Sequence, residues 1–303
     1  MANTFSPFGF KQWSGTGSVP TYEQTVGFIA YNNTQAIFFG DPVSQATGTT
    51  GAGTGYIVQS IAPQSLAVTG IVVTNGVAVA TFTATTAPAV GSTIVFTGTS
   101  FATGGGFNGP FIITASTTTT ATFNVTGAYS STLTFGTATV FTPIAGVFVG
   151  CKYLSVSQKR TVWSNYWPGS DVASGNTVEA YVINDPNAQF LVQTANSNTT
   201  ASAVGLSAIG GNIGIGIGGT ANGNTGSNGN TSNGLSTFYA DQYTITTPGN
   251  SSAGLPFRVV SVPGYSPYGV NPWSGVNGYD ITTAYNYIVV AFNNAGLKQL
   301  QGI

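Results

Sequence analysis

The chain has 303 residues but only six cationic and seven anionic side chains, 4% charged in all, where a typical globular protein carries about 25%. Hydrophobic residues make up 42%, enough to build a core, so a disordered polyelectrolyte is excluded. The balanced charge leaves no basic field for nucleic acid, and the absence of histidine removes Ser-His-Asp and Cys-His nucleophiles and the commonest zinc ligand.

The N-terminal MANTFSPFGFKQW has neither the basic start nor the apolar run of a signal peptide. No segment reaches the roughly 18 apolar residues that span a bilayer. A chain made in a cytoplasm, neither secreted nor membrane-bound, is expected; the single Cys151 allows no internal disulfide. Helical patterning is nearly absent. Short alternating runs rich in Val, Ile, Thr, Phe and Tyr are separated by Gly, Pro, Asn and Asp, which is the pattern of strands and turns.

In chain order, residues 53–63 end with strand character, and no charge occurs between Pro42 and Gly150. Within that span, strand signals recur about every ten residues, at 71–74, 77–83, 93–97, 111–115, 121–125 and 132–135. Such spacing predicts a small sandwich or barrel. Strands follow at 146–156, 178–183 and 189–194, with Asn184-Asp185-Pro186-Asn187 predicted as a hairpin turn between the last two. Residues 205–234 form a Gly/Asn-rich tract with one short apolar strand inside, and strands at 257–262 and 285–292 close the chain. The expected fold is all-β: a β-sandwich or barrel host domain, residues 1–65 and 146–303, interrupted by a small Ig-like or barrel-like module over 66–145.

One stretch concentrates charge. Lys152, Lys159, Arg160 and Asp171 lie within 20 residues, among Trp163, Tyr166 and Trp167. A nucleic-acid reader would interleave more cations over a larger face, and a catalytic centre would need an acid–base partner beyond Asp171. Arg and Trp are enriched at interface hot spots. Two readings stay open: a buried aromatic anchor with solvated charges nearby, or a docking surface. The aromatic loop PGYSPYGVNPWSGVNGYD, with Tyr265, Tyr268 and Trp273, adds to the docking reading. The expected interface residues are Lys159, Arg160, Trp163, Tyr166, Trp167, Tyr265, Tyr268 and Trp273.

Other motifs carry less. GIGIGG at 214–219 matches G-x-G-x-x-G, but the TANGNTGSNG that follows cannot start the helix a dinucleotide site needs. A glycan-cleaving enzyme would need paired acids; Asp171, Glu179, Asp185, Asp241 and Asp280 are available, none in a recognisable motif. No enzyme, metal or cofactor is expected, and Cys151, in an alternating apolar strand, reads as a small core residue.

The order VATFTATTAPAVGSTIVFTG, then FNGPFIITASTTTTATFNVTG, resembles a small β module that recurs in phage tail, baseplate and head proteins. Ala87-Pro88-Ala89 stands where that module usually has an Ala-His-Gly-like turn. The host segments FSPFGFKQWSG, YVINDPNAQFLVQ, LPFRVV and DITTAYNYIVVAFNNAG resemble phage structural proteins of the capsid-decoration kind. The resemblance implies a virion protein on the outer surface of the capsid. It would bind the major capsid protein as a symmetric homo-oligomer, a trimer being favoured. The alternative is a head-fibre or tail-associated receptor-binding protein that contacts host surface glycans.

Overall fold

The computed structural model describes residues 3–14, 24–46, 55–60, 64–84, 87–88, 90, 92–97, 100–101, 109–125, 132–134, 136–141, 143–197, 200–218, 229–245, 255–263, 281–293 and 295. The described chain is nearly all-β. It forms two compact units, one built from Met1–Ala62, Ile144–Asn250 and Leu255–Leu300, the other centred on Pro63–Pro143.

In the larger unit, five strands close into a ring. Gln189–Ala195 pairs antiparallel with Tyr287–Phe292, which pairs with Phe257–Ser261, then Asn212–Ile217, then Phe238–Asp241. The ring closes by a short parallel pairing of Ala240 and Asp241 with Thr194 and Ala195. Lys11–Ser14 adds to the same strand as an outer partner. Alternation decides what lies inside: Phe190, Val192, Ile213, Ile215, Phe257, Val259, Ile288 and Val290 all bury in one core.

The ring also explains the GIGIG repeat. Its isoleucines point into the core, while Gly216 lies opposite the buried Tyr239 on the neighbouring strand. A Cβ at Gly216 would lie 2.3 Å from Tyr239 Cε2 and Cζ, so glycine makes room for an aromatic side chain across the ladder. Gly216→Ala is expected to cost about 3 kcal/mol by overpacking. In a Tyr239→Ala background the same change is expected to cost under about 1 kcal/mol, and equal costs in both backgrounds, measured by urea unfolding, would refute the contact.

The second sheet curls into a half-barrel, in the order Thr25–Ile29, Val178–Ile183, Gly146–Ser155, Pro42–Gln45, Ile57–Gln59. Arg160–Ser164 pairs with the far half of Gly146–Ser155. The curl brings the first and last strands together, since a Cβ on Gly27 would lie 2.7 Å from Ile57 Cγ1. Strands Gly146–Ser155 and Val178–Ile183 serve both cores: Val147 and Ile183 face the ring, while Phe148 and Val182 face the half-barrel core with Ile29, Val43, Cys151 and Trp167.

Val178–Ile183 and Gln189–Ala195 do not form the expected hairpin. The first pairs in the half-barrel and the second in the ring. The turn between them is real, with Asp185 accepting from the Asn187 N–H at 2.9 Å, but it carries the chain from one sheet to the other. Gln189–Ala195 is buried on both faces, while Val178–Ile183 turns Glu179 and Tyr181 outward, and each finds longer antiparallel ladders elsewhere.

The smaller unit is a closed six-stranded barrel. Around it run Gln64–Thr74, Val77–Phe82, Thr120–Asn124, Gly109–Ser116, Thr93–Thr97 and Thr137–Phe141, which returns to Gln64–Thr74. Asn75 and Gly76 both take positive φ, at 51° and 78°, in the two-residue turn joining the first two strands, as a type I′ hairpin requires. Phe82, Phe96, Ile113 and Phe123 fill the interior. The strand Thr137–Phe141, which closes the ring, was not among the expected strands.

Candidate docking surface

The charged, aromatic stretch begins as a hairpin. Gly146–Ser155 turns at Val156–Lys159 into Arg160–Ser164, and Asp171 ties the turn. Its carboxylate accepts from the Ser155 hydroxyl at 2.5 Å, the Ser157 N–H at 2.8 Å and the Ser157 hydroxyl at 3.0 Å. These bonds, the Ser155 hydroxyl first, hold the carboxyl below its ordinary range. Asp171 therefore shapes the turn and is no free acid. Lys159, at φ 53°, and Arg160, whose Nε donates to Gln158 Oε1 at 3.0 Å, are exposed at its tip.

The hairpin presents one face of the half-barrel outward. Glu179 lies opposite Phe28, Lys152 opposite Glu179, and Trp163 opposite Lys152. Directly opposed residues share a face, so four strands carry one row: Phe28, Glu179, Lys152, Trp163. Phe28 is 47% exposed and Trp163 67%. Lys152 Nζ sits 3.1 Å from Glu179 Oε2 and 5.3 Å from the Trp163 ring centroid. Tyr181, opposite the side-chain-free Gly150, stacks on Trp163 at 5.6 Å and 8°. Val26 and Leu154, also exposed, flank the row.

The other expected interface residues divide. Trp167 is fully buried: its Nε1 donates to the Asn33 carbonyl at 3.2 Å, and its ring meets Tyr153 edge-on at 5.3 Å. It is a core anchor and is not presented to a partner, because its backbone is bridged to Ile37 on the inner side of the half-barrel. Tyr166 is half-buried and stacks on Phe38 at 5.4 Å. Tyr265, Tyr268 and Trp273 lie outside the described residues. The stretch thus places one tryptophan, Trp167, in the core and the other, Trp163, on the exposed face of the sheet. Phe28, Glu179 and Tyr181, which share this exposed face with Trp163, were not singled out from the sequence; the alternation in TVGFI and VEAYVI marks them as outward, but the register that lines them up with Trp163 is not written in either segment.

The described carboxylates each have a local role. Glu179 pairs with Lys152, Asp185 makes an Asx turn, and Asp241 accepts from the Ser197 N–H and hydroxyl and from the Tyr243 N–H, with burial raising its carboxyl. Asp280 lies outside the described residues. Cys151 is buried, its thiol pushed up to about 12 by desolvation and donating to the Tyr166 carbonyl at 3.4 Å, so it does not present a thiolate. Among the described residues no group of three or more His, Cys, Asp or Glu could hold a metal ion, and no helix is long and apolar enough to cross a membrane.

Asp41 stands apart. It is fully buried where the Phe38–Asp41 turn is stitched to Phe10, Phe148 and Gly234 through Gly40 and Phe39. One carboxylate oxygen accepts from the Phe38 N–H at 2.8 Å and Gln59 Nε2 at 2.6 Å; the other has no partner among the described residues. Desolvation outweighs these bonds and that of Ser236, raising the carboxyl to about 7.

No family model matches the chain, and neither the curated proteins nor the solved structures contain a match.

Proposed function

We propose that the protein is a non-enzymatic phage virion protein that decorates and stabilises the head by binding the major capsid protein lattice on its outer surface. The observation that carries a docking role is the row Phe28–Glu179–Lys152–Trp163: an outward sheet face on which two exposed aromatic side chains flank an acid–base pair. Aromatic anchors with a neutral charge pair suit a protein interface. The assignment to a virion rests on the sequence resemblance. Binding would come from area burial and hydrogen bonding, and with the charges already paired it would depend weakly on salt.

The Trp163–Tyr181 stack beside a carboxylate and an ammonium favours a second reading, a fibre or tail-associated receptor-binding protein whose exposed indole stacks on a sugar ring. Sedimenting the purified protein with undecorated heads separates the two. Saturation at hundreds of copies per head, retained in high salt and lost with Trp163→Ala, is expected. No binding by the wild type would refute the decoration role, and retention of host glycan by the same preparation would then support the second reading.

A further inference from the structure

Read across the four strands, the row runs aromatic, acid, base, aromatic. That order is a chemical palindrome with a sign change at its centre. We infer that the occupant of this face is a second copy of the chain, related by a two-fold axis lying in the contact plane, parallel to the strands, and passing between Glu179 and Lys152. Such a rotation turns the row end for end. Phe28 of each copy then meets Trp163 of the other, and Glu179 of each meets Lys152 of the other. A two-fold axis along the row itself would set acid on acid and base on base, which like-charge repulsion disfavours.

Several observations converge on this arrangement. Adjacent strands lie about 4.8 Å apart, so the row spans roughly 14 Å, and Val26 and Leu154 extend its apolar margin. The intrachain pair of Lys152 and Glu179 is partly exposed, with 34% and 39% of the side chains accessible, and pairs of that kind contribute little on their own. Exchanging it for two interchain pairs therefore costs little. A net charge of −1 gives no repulsion between copies. A row of roughly 14 Å makes a patch well short of the area an obligate interface buries, so a reversible dimer is expected, with a Kd on the order of micromolar. A two-fold contact is isologous and generates even-numbered assemblies, unlike the trimer that the capsid resemblance favours.

The inference rests on the reading of this row as a docking face and gives that face to the second copy, so that heads are bound by the assembled dimer and Trp163→Ala releases them by dissociating it; complementary charge variants test it directly. Lys152→Glu gives a row with two acids, and Glu179→Lys a row with two bases. Sedimentation velocity from about 1 to 200 µM, spanning the expected Kd, should show wild-type dimers. Each variant alone should associate at least about tenfold more weakly. An equimolar mixture of the two should recover association to within about threefold of wild type, because every acid then faces a base. Both positions face solvent, and circular dichroism and urea midpoints verify that each variant is folded. A wild type that is monomeric throughout, a wild-type trimer, or a mixture that does not associate would each overturn the inference. Head binding keeps the two proposals apart. A monomeric wild type whose head binding is lost with Trp163→Ala places the lattice on this face, whereas a dimer that ignores heads leaves the second copy standing and removes the virion role.

Discussion

Replacing Asp41 by asparagine is expected to stabilise the larger unit by about 4 kcal/mol at pH 8, and by almost nothing at pH 4. The carboxyl rises from an ordinary 3.8 to about 7 because burial removes it from water and three hydrogen bonds replace only part of that hydration. The folded state therefore holds a proton that the unfolded state releases. Stability from this group is fully present below about pH 3.8 and is lost as the pH rises through about 7. Asparagine keeps an oxygen for the Phe38 N–H and Gln59 amide and carries no charge at any pH. Urea unfolding of both proteins between pH 4 and 8 measures the effect. Asp241, also raised, and Asp171, held low, act on the wild type with opposite signs, and they cancel in the difference between the two proteins. Parallel stability curves would show that Asp41 ionises without cost.

The two tryptophans of the hairpin should respond in opposite ways. Trp167→Ala removes a fully buried indole from the half-barrel core, leaves the Asn33 carbonyl without its donor, and takes away the edge contact with Tyr153. A loss of about 4 kcal/mol is expected from the cavity and the orphaned acceptor. Trp167→Phe, which keeps most of the volume, should lose about half as much. Trp163→Ala, at an exposed site, should shift stability by less than about 1 kcal/mol while abolishing association. Similar unfolding midpoints for the two alanine variants would refute the assignment of one ring to the core and the other to the surface.

Much of the fold is legible before any coordinates are. The strands at 146–156, 178–183, 189–194, 257–262 and 285–292 lie within about two residues of those observed, because their alternating β-branched and aromatic runs leave little choice of local state. What the runs leave open is who pairs with whom. The turn at 184–187 reads the same whether it joins partners or passes between sheets, and the long ladders of Val178–Ile183 with Gly146–Ser155 and of Gln189–Ala195 with Tyr287–Phe292 decide. Thr137–Phe141 escapes notice for a local reason: its inward residues include the small Ala138 and its outward ones are threonines, a weak contrast for a strand. The exposed row is half legible. Trp163 stands out by type, but Phe28 joins its row through a pairing with Glu179, more than 130 residues away. Asp41 looks like one more surface acid until its turn is seen to lie under Phe38 and Ser236.

The range of those pairings sets a timetable for synthesis. Lys11–Ser14 waits for Gln189–Leu191, and Thr25–Ile29 waits for Val178–Val182. At ordinary translation speeds that delay is roughly 10–30 s. Every strand of the smaller barrel, by contrast, finds its partners between Gln64 and Phe141, so that unit can close on a ribosome that has not yet made the rest. For that interval Phe5, Phe8, Phe10 and Phe28 trail from the nascent chain without a sheet to join, and almost no charge keeps neighbouring chains on a polysome apart. Crowded translation is the moment when this protein is most exposed to misassembly, and slowing initiation should raise its soluble yield more than lowering the temperature of the finished protein.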